Sequence, residues 1–255
     1  TDFDRVTTDS RNLHRGDLFV GIRGERFDGQ AFADQALRGG AAAVMVGAGT
    51  QIITPNASVL EVDDTRLALG RLAAFWRSRF VAPVIAVTGS NGKTTVKEML
   101  AAILRQVAAE SGVLATAGNL NNDIGVPLTL LRLDAGHRYA VIEMGMNHLA
   151  EIAYLSRMAR PTVALINNAG SAHIGELGSV DAVARAKGEI FEGLEETGTA
   201  IINSDDAFAD YWRGLARGRP VVDFGLESKA AVSARYEMTV VASLVTFRTP
   251  REQFV

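Results

Sequence analysis

The chain has 255 residues, a formal net charge of −3, 47% hydrophobic residues and no cysteine. That is apolar material for one large domain or two ordinary ones, and it excludes disulfide scaffolding and thiol catalysis. The slightly acidic balance argues against a broad electrostatic grip on nucleic acid, no apolar run approaches the ~20 residues of a membrane span, and the polar, acidic start is no signal peptide. A cytoplasmic protein that engages neither nucleic acid nor membrane is therefore expected.

The first ~80 residues read as a small α/β unit. Residues 17–21, 43–46 and 59–62 are short apolar runs of strand type. Ala31, Phe32, Ala36 and Leu37 suggest a helix that stops at Gly39 and Gly40. Asp64 is placed to cap a second helix that carries Leu67, Leu72, Phe75 and Trp76 on one side. A domain boundary is expected at Pro83, which gives domains of 1–82 and 83–255. Before the first of these strands, Ser10 and Arg11 stand side by side in a loop. Such a pair can hold a phosphate or carboxylate, although local chemistry alone favours a capped turn with a solvated arginine.

Residues 84–87 form a β-branched apolar run and read as a buried strand. Gly89, Ser90, Asn91, Gly92, Lys93, Thr94 and Thr95 follow directly. Val96, Met99, Leu100, Ile103, Leu104 and Val107 then recur at helical spacing. Strand, glycine turn, lysine–threonine and helix together make a phosphate cradle. Unpaired N–H groups at the helix start, and the helix dipole, favour an anion. Lys93 can reach a terminal phosphate, and the Thr94 hydroxyl can hold Mg²⁺. The general P-loop pattern has a glycine where this chain has Val87. An ordinary glycine strand-to-helix turn is the plainer alternative.

Downstream, residues 116–127 carry Asn119, Asn121 and Asn122, which suit turns or can offer amides to a ligand. A second buried strand over 139–144 places Glu143 at its carboxyl end. Ligands of parallel sheets bind at that end, so a metal-binding role competes there with a salt bridge at a sheet edge. A third strand over 162–167 leads into a glycine-rich loop with His173. The helix expected over 180–194 puts Lys187 in one apolar stripe with Val183, Ile190 and Leu194. The common arrangement is a lysine that snorkels outward. The alternative is a buried, neutral amine able to take up CO₂ as a carbamate. A strand over 199–203, a helix capped from 204–206 that carries Tyr211 and Trp212, a strand over 221–224 and β-structure over 237–247 complete the pattern. The end at Val255, without a closing element, suggests a fragment or a further domain.

Asp9-Ser-Arg11, Gly16-Asp-Leu-Phe-Val20, Phe27-Asp-Gly29, Thr88-Gly-Ser-Asn-Gly-Lys-Thr-Thr95, Gly118 to Pro127, Glu143-Met-Gly-Met-Asn-His148, Ala172-His-Ile174 and Ala186-Lys-Gly-Glu-Ile190 together resemble the Mur ligases. These are the ATP-dependent amide ligases that build the peptidoglycan peptide. The resemblance spans nearly the whole chain. It implies an N-terminal α/β domain for a UDP-linked substrate, then a P-loop ATPase domain with a mainly parallel central sheet. The family's C-terminal Rossmann-like domain is missing from this chain. It also implies ATP and Mg²⁺ as cofactors, Lys93 on the β/γ-phosphates, Thr94, Glu143 and His173 at magnesium, and Lys187 as a carbamylated lysine supporting a second metal ion. Ser10 and Arg11 fall near the UDP group, and Asn119, Asn121, Asn122, Asn147 and His148 on the muramoyl-peptide path. The asparagine run and the Glu143–His148 stretch imply that UDP-N-acetylmuramoyl-tripeptide and D-alanyl-D-alanine are the partners, joined by a monomer. The alternatives are a ligase adding the third peptide residue, a folylpolyglutamate synthase-like ligase, or a non-catalytic nucleotide-binding protein.

Overall fold

The computed structural model describes residues 2–24, 27–172, 174–238 and 243–254. The chain forms two compact units, Thr1–Val81 with Asp123–Ala135, and Ala82–Asn122 with Gly136–Val255.

In the first unit the elements are β1 (Val6–Thr7), β2 (Leu18–Val20), α1 (Ala33–Arg38), β3 (Ala43–Gly47), β4 (Val59–Val62) and α2 (Thr65–Arg77). The strands are parallel, in the order β1-β2-β3-β4. Strand alternation sends Leu18, Val20 and Met45 into one apolar cluster and Phe19, Val44 and Val46 into another. Asp64 caps α2 by accepting from the Arg66 and Leu67 N–H groups. The buried face of α2 is Leu69 and Ala73, whereas Leu67 and Phe75 are exposed. Of the expected stripe Leu72 packs on the Leu18–Leu69 cluster, while Leu69 and Ala73, which the pattern passed over, are fully buried.

The second unit begins with β5 (Val84–Thr88), α3 (Lys93–Ala108) and β6 (Val113–Ala115). The chain then returns to the first unit as α4 (Gly125–Leu130), where Ile124, Leu128 and Leu131 pack on the Leu18–Leu69 cluster. The indole N–H of Trp76 donates to the Leu133 carbonyl at 2.9 Å in the same unit. A single crossing at Pro83 thus misses this excursion, and residues 125–127 are helix rather than loop. Pro127 lies in the first turn of α4, where its missing N–H costs nothing.

The rest of the second unit comprises β7 (Tyr139–Glu143), α5 (Glu151–Ala159), β8 (Val163–Ile166), α6 (Ile174–Leu177), α7 (Val180–Gly188), β9 (Thr199–Asn203), α8 (Ala209–Leu215), β10 (Val221–Gly225), β11 (Val232–Met238), β12 (Ser243–Arg248) and β13 (Gln253–Phe254). Among the described residues its strands run in the order β13-β12-β11-β10-β9-β8-β5-β7-β6. Strands β6 to β11 are parallel and the last two pairings are antiparallel. Two sequence expectations need correction here. On α3 the buried positions are Lys97, Ala101 and Ala108, and Val96, Leu100 and Leu104 of the expected stripe pack partly buried on the same core, while Met99, Ile103 and Val107 are 60%, 62% and 62% exposed. Residues 204–206 do not cap α8 as a block. Asp206 accepts from the Phe208 N–H, whereas Asp205 accepts from the N–H groups of Leu226, Glu227 and Ser228 and ties down the loop after β10.

Candidate functional site

Strand β5 lies between β7 and β8, and its helix crosses to β6 on the β7 side. The chain therefore reverses direction across the sheet at β5, which is where open parallel sheets bind ligands. Parallel register sets Val87 against both Glu143 and Leu165, and Thr88 against Ile166. The segments after all three strands consequently meet at one carboxyl edge.

The glycine turn after β5 is shaped by the loop after β8. Gly92 has φ +75°, and a Cβ there stands 2.9 Å from Asn167 Nδ2. A Cβ on Gly89 stands 2.9 Å from the Asn167 Cβ. Asn167 Nδ2 donates to the Asn91 carbonyl at 2.8 Å, and the Asn91 N–H donates to Asn168 Oδ1 at 2.9 Å. The Ser90 N–H donates to the Asn168 carbonyl at 2.9 Å, and the Gly170 N–H donates to Ser90 Oγ at 2.8 Å. Asn167 and Asn168 thus clasp the cradle. Sequence reasoning missed them, although two amides directly after a buried strand were a legible signal.

Lys93 folds over this turn, with Nζ donating to the Gly89 and Ser90 carbonyls at 2.8 and 3.3 Å. Burial pulls its pKa below the ordinary value, and the nearby Glu143 carboxylate opposes that shift. Thr94 and Thr95 are exposed on the first turn of α3.

Glu143 is 1% exposed. Its N–H donates to Thr116 Oγ1 at 3.0 Å, and its Oε1 accepts from Asn121 Nδ2 at 2.7 Å. Among the described residues its buried Oε2 has no hydrogen-bond partner. A buried, unpartnered carboxylate oxygen is costly and calls for a cation or a donor. A carboxylate oxygen is the kind of hard donor that Mg²⁺ takes, as is a threonine hydroxyl such as that of Thr94. Among the described residues no three His, Cys, Asp or Glu side chains cluster as a metal cage. Mg²⁺ usually relies on one or two carboxylates, waters and substrate phosphates, so this donor set fits it.

Lys187 is 1% exposed, so it does not snorkel. The whole stripe of Val183, Lys187, Ile190 and Leu194 is buried. Burial, then the charge of Lys93, brings the Lys187 pKa down to about 7. Between that value and the ordinary lysine value of 10.5 the unfolded chain holds a proton that the folded chain has released. Stability in CO₂-free buffer is therefore expected to rise with pH across this window, by up to ~1.4 kcal/mol per pH unit from this group. Denaturant melts of wild type and Lys187→Met at several pH values measure it. An identical slope in both proteins contradicts a buried neutral amine.

The remaining predicted residues divide. His173 lies outside the described residues. Asn119 and Asn122 are exposed, and Asn121 is engaged with Glu143. The Asn147 and His148 N–H groups and His148 Nδ1 all meet the Glu151 carboxylate at the start of α5. In the first unit Ser10 and Arg11 line a cavity of about 390 Å³ together with Thr8, Phe19, Phe27 and Phe32. Phe27 and Phe32 stack at 5.3 Å, a feature the sequence reading did not single out. Arg11 forks onto Asp9 at 2.8 and 2.9 Å, and that pairing lowers the Asp9 pKa to about 2. The cavity combines an aromatic wall with a hydroxyl and guanidinium rim.

Two family models match the chain, the Mur ligase family catalytic domain over residues 2–77 and the Mur ligase middle domain over 87–254. The UDP-N-acetylmuramoyl-tripeptide–D-alanyl-D-alanine ligase of Escherichia coli strain K12 is 53% identical over 221 residues, which are 87% of this chain and 48% of that protein. A crystal structure of MurF from Acinetobacter baumannii superposes with a TM-score of 0.90 at 40% identity, covering 98% of this chain and 54% of that one. MurF from Thermotoga maritima in complex with ADP superposes with a TM-score of 0.84 at 30% identity, covering 98% and 57%. The chain spans about half the length of the curated relatives it matches. Among its described residues no helix is long and apolar enough to cross a membrane.

Proposed function

This chain belongs to the Mur ligase family, and from that premise we propose that it serves ATP-dependent formation of an amide bond between UDP-N-acetylmuramoyl-tripeptide and D-alanyl-D-alanine. What supports the reading is that the charge of Lys93 is felt by Lys187 and answered by Glu143, whose buried Oε2 has no hydrogen-bond partner among the described residues. The terminal carboxylate of the tripeptide attacks the γ-phosphorus of ATP, and ADP leaves. The amine of D-alanyl-D-alanine then attacks the acyl phosphate, loses a proton, and inorganic phosphate departs. Lys93 and the first N–H groups of α3 bind the β- and γ-phosphates and spread the charge that moves between them. Thr94 and Glu143 would hold Mg²⁺, with His173 assigned to it from the family resemblance alone. When bound, Mg²⁺ supplies further charge neutralisation at the phosphates. Lys187, whose pKa burial brings down to about 7, is part neutral near that pH and would add CO₂ and release a proton to become an anionic carbamate, which suits it to support a cation.

In the first unit the Ser10–Arg11 cavity takes the UDP group, with the uracil against the Phe27–Phe32 wall and the pyrophosphate toward Arg11. Asn119, Asn122, Asn147 and His148 are assigned to the muramoyl-peptide path. Calorimetric titration with UDP-N-acetylmuramoyl-tripeptide and with ADP·Mg²⁺ tests the two halves separately. Arg11→Ala is expected to weaken the UDP-linked ligand about tenfold, because one charge-assisted contact is lost, and to leave ADP affinity unchanged. An unaltered affinity for the UDP-linked ligand contradicts this placement.

A further inference from the structure

Lys97 is the most deeply buried charged side chain on α3, at 0% exposure, and occupies an inward position otherwise filled by alanine. Packing alone needs no cation there, and a buried lysine is costly unless it is paired and hydrogen-bonded. Its Nζ meets Glu98 Oε1 at 2.5 Å and donates to the Thr116 carbonyl at 2.8 Å. Thr116 is the residue after β6, at the root of the asparagine segment. Its hydroxyl accepts the Glu143 N–H at 3.0 Å, and the same segment brings Asn121 Nδ2 to Glu143 Oε1 at 2.7 Å. One buried cation thus pins the root from which both supports of Glu143 extend. The buried Oε2 is left without a partner among the described residues.

We propose that Lys97 is a positioning residue, which acts through Thr116 to fix the Glu143 carboxylate for the metal ion that accompanies the nucleotide. Being fully buried, it touches no substrate. The inference rests on the reading of Glu143 as a metal ligand, and the two can fail separately.

The test is ADP titration of the full chain, with Mg²⁺ and with EDTA. The gain in affinity that Mg²⁺ brings is expected to fall about tenfold in Lys97→Met and in Thr116→Val. It should survive in Thr116→Ser, which keeps the hydroxyl, and the Lys97→Met/Thr116→Val double variant should lose no more than either single one. ADP affinity in EDTA should stay within about twofold throughout, which a merely loosened fold would not allow. If Lys97→Met fails to fold, the Thr116→Val and Thr116→Ser pair decides alone. A full Mg²⁺ gain in Lys97→Met or Thr116→Val, beside a loss in Glu143→Gln, overturns the inference and leaves the metal reading intact. A full gain in Glu143→Gln overturns both.

Discussion

Gly193→Ala is expected to be the most destabilising single substitution at a glycine of the second unit. An alanine Cβ at this position falls 2.1 Å from both the carbonyl carbon and oxygen of Ser156, and 2.4 Å from the Arg157 nitrogen. All three are backbone atoms of α5, so no rotamer change relieves the overlap. The turn after α7 would have to lift off α5 and break the Ser156 Oγ bond to the Ile190 carbonyl. Ile190 belongs to the buried stripe that holds Lys187, so the displacement reaches the site. Overpacking against rigid backbone puts the cost at roughly 4 kcal/mol or more, a fall in melting temperature of about 10 °C for a unit of this size. Gly214→Ala is the control: nothing lies within 4 Å of its added Cβ, and it sits inside α8. It should be neutral or stabilising by up to ~1 kcal/mol. Thermal melts of both variants measure the contrast, and similar melting temperatures contradict the packing described at Ser156.

The second large effect is functional. Lys93→Ala is expected to weaken ADP·Mg²⁺ about a hundredfold, equivalent to ~3 kcal/mol. Without ligand, Nζ is occupied by the Gly89 and Ser90 carbonyls, so binding exchanges two neutral acceptors for phosphate oxygens. The cost to folding should be small, since those carbonyls belong to a turn that Asn167 and Asn168 hold independently. Titration calorimetry reports the loss. Undiminished nucleotide affinity in a folded Lys93→Ala protein excludes the cradle as the phosphate site.

The strands around this site were legible because β5 and β7 are short apolar runs buried along nearly their whole length, and β8 is apolar throughout. Their carboxyl ends then located the glycine turn and Glu143 without further information. Lys187 was legible as a position but not as a state. The spacing put it in the stripe, whereas only its burial in the folded chain, at 1% exposure, decides against snorkelling. Part of the inward face of α3, Val96, Leu100 and Leu104, was legible, and the rest was hidden because Ala101 and Lys97 look less like core than Met99 and Ile103 do. The return of residues 123–135 to the first unit depends on contacts with Leu18 and Leu69, more than fifty residues earlier in the chain, and no local pattern announces it. The Asn167–Asn168 clasp was overlooked because asparagine after a strand reads as turn chemistry.

A crystal structure with ADP and Mg²⁺ tests the central claim most directly. The β-phosphate should lie against Lys93 and the first turn of α3, with the metal ion at about 2.1 Å from Glu143 Oε2, the ordinary Mg²⁺–oxygen distance. A nucleotide bound elsewhere, or a metal ion held without Glu143, would contradict it.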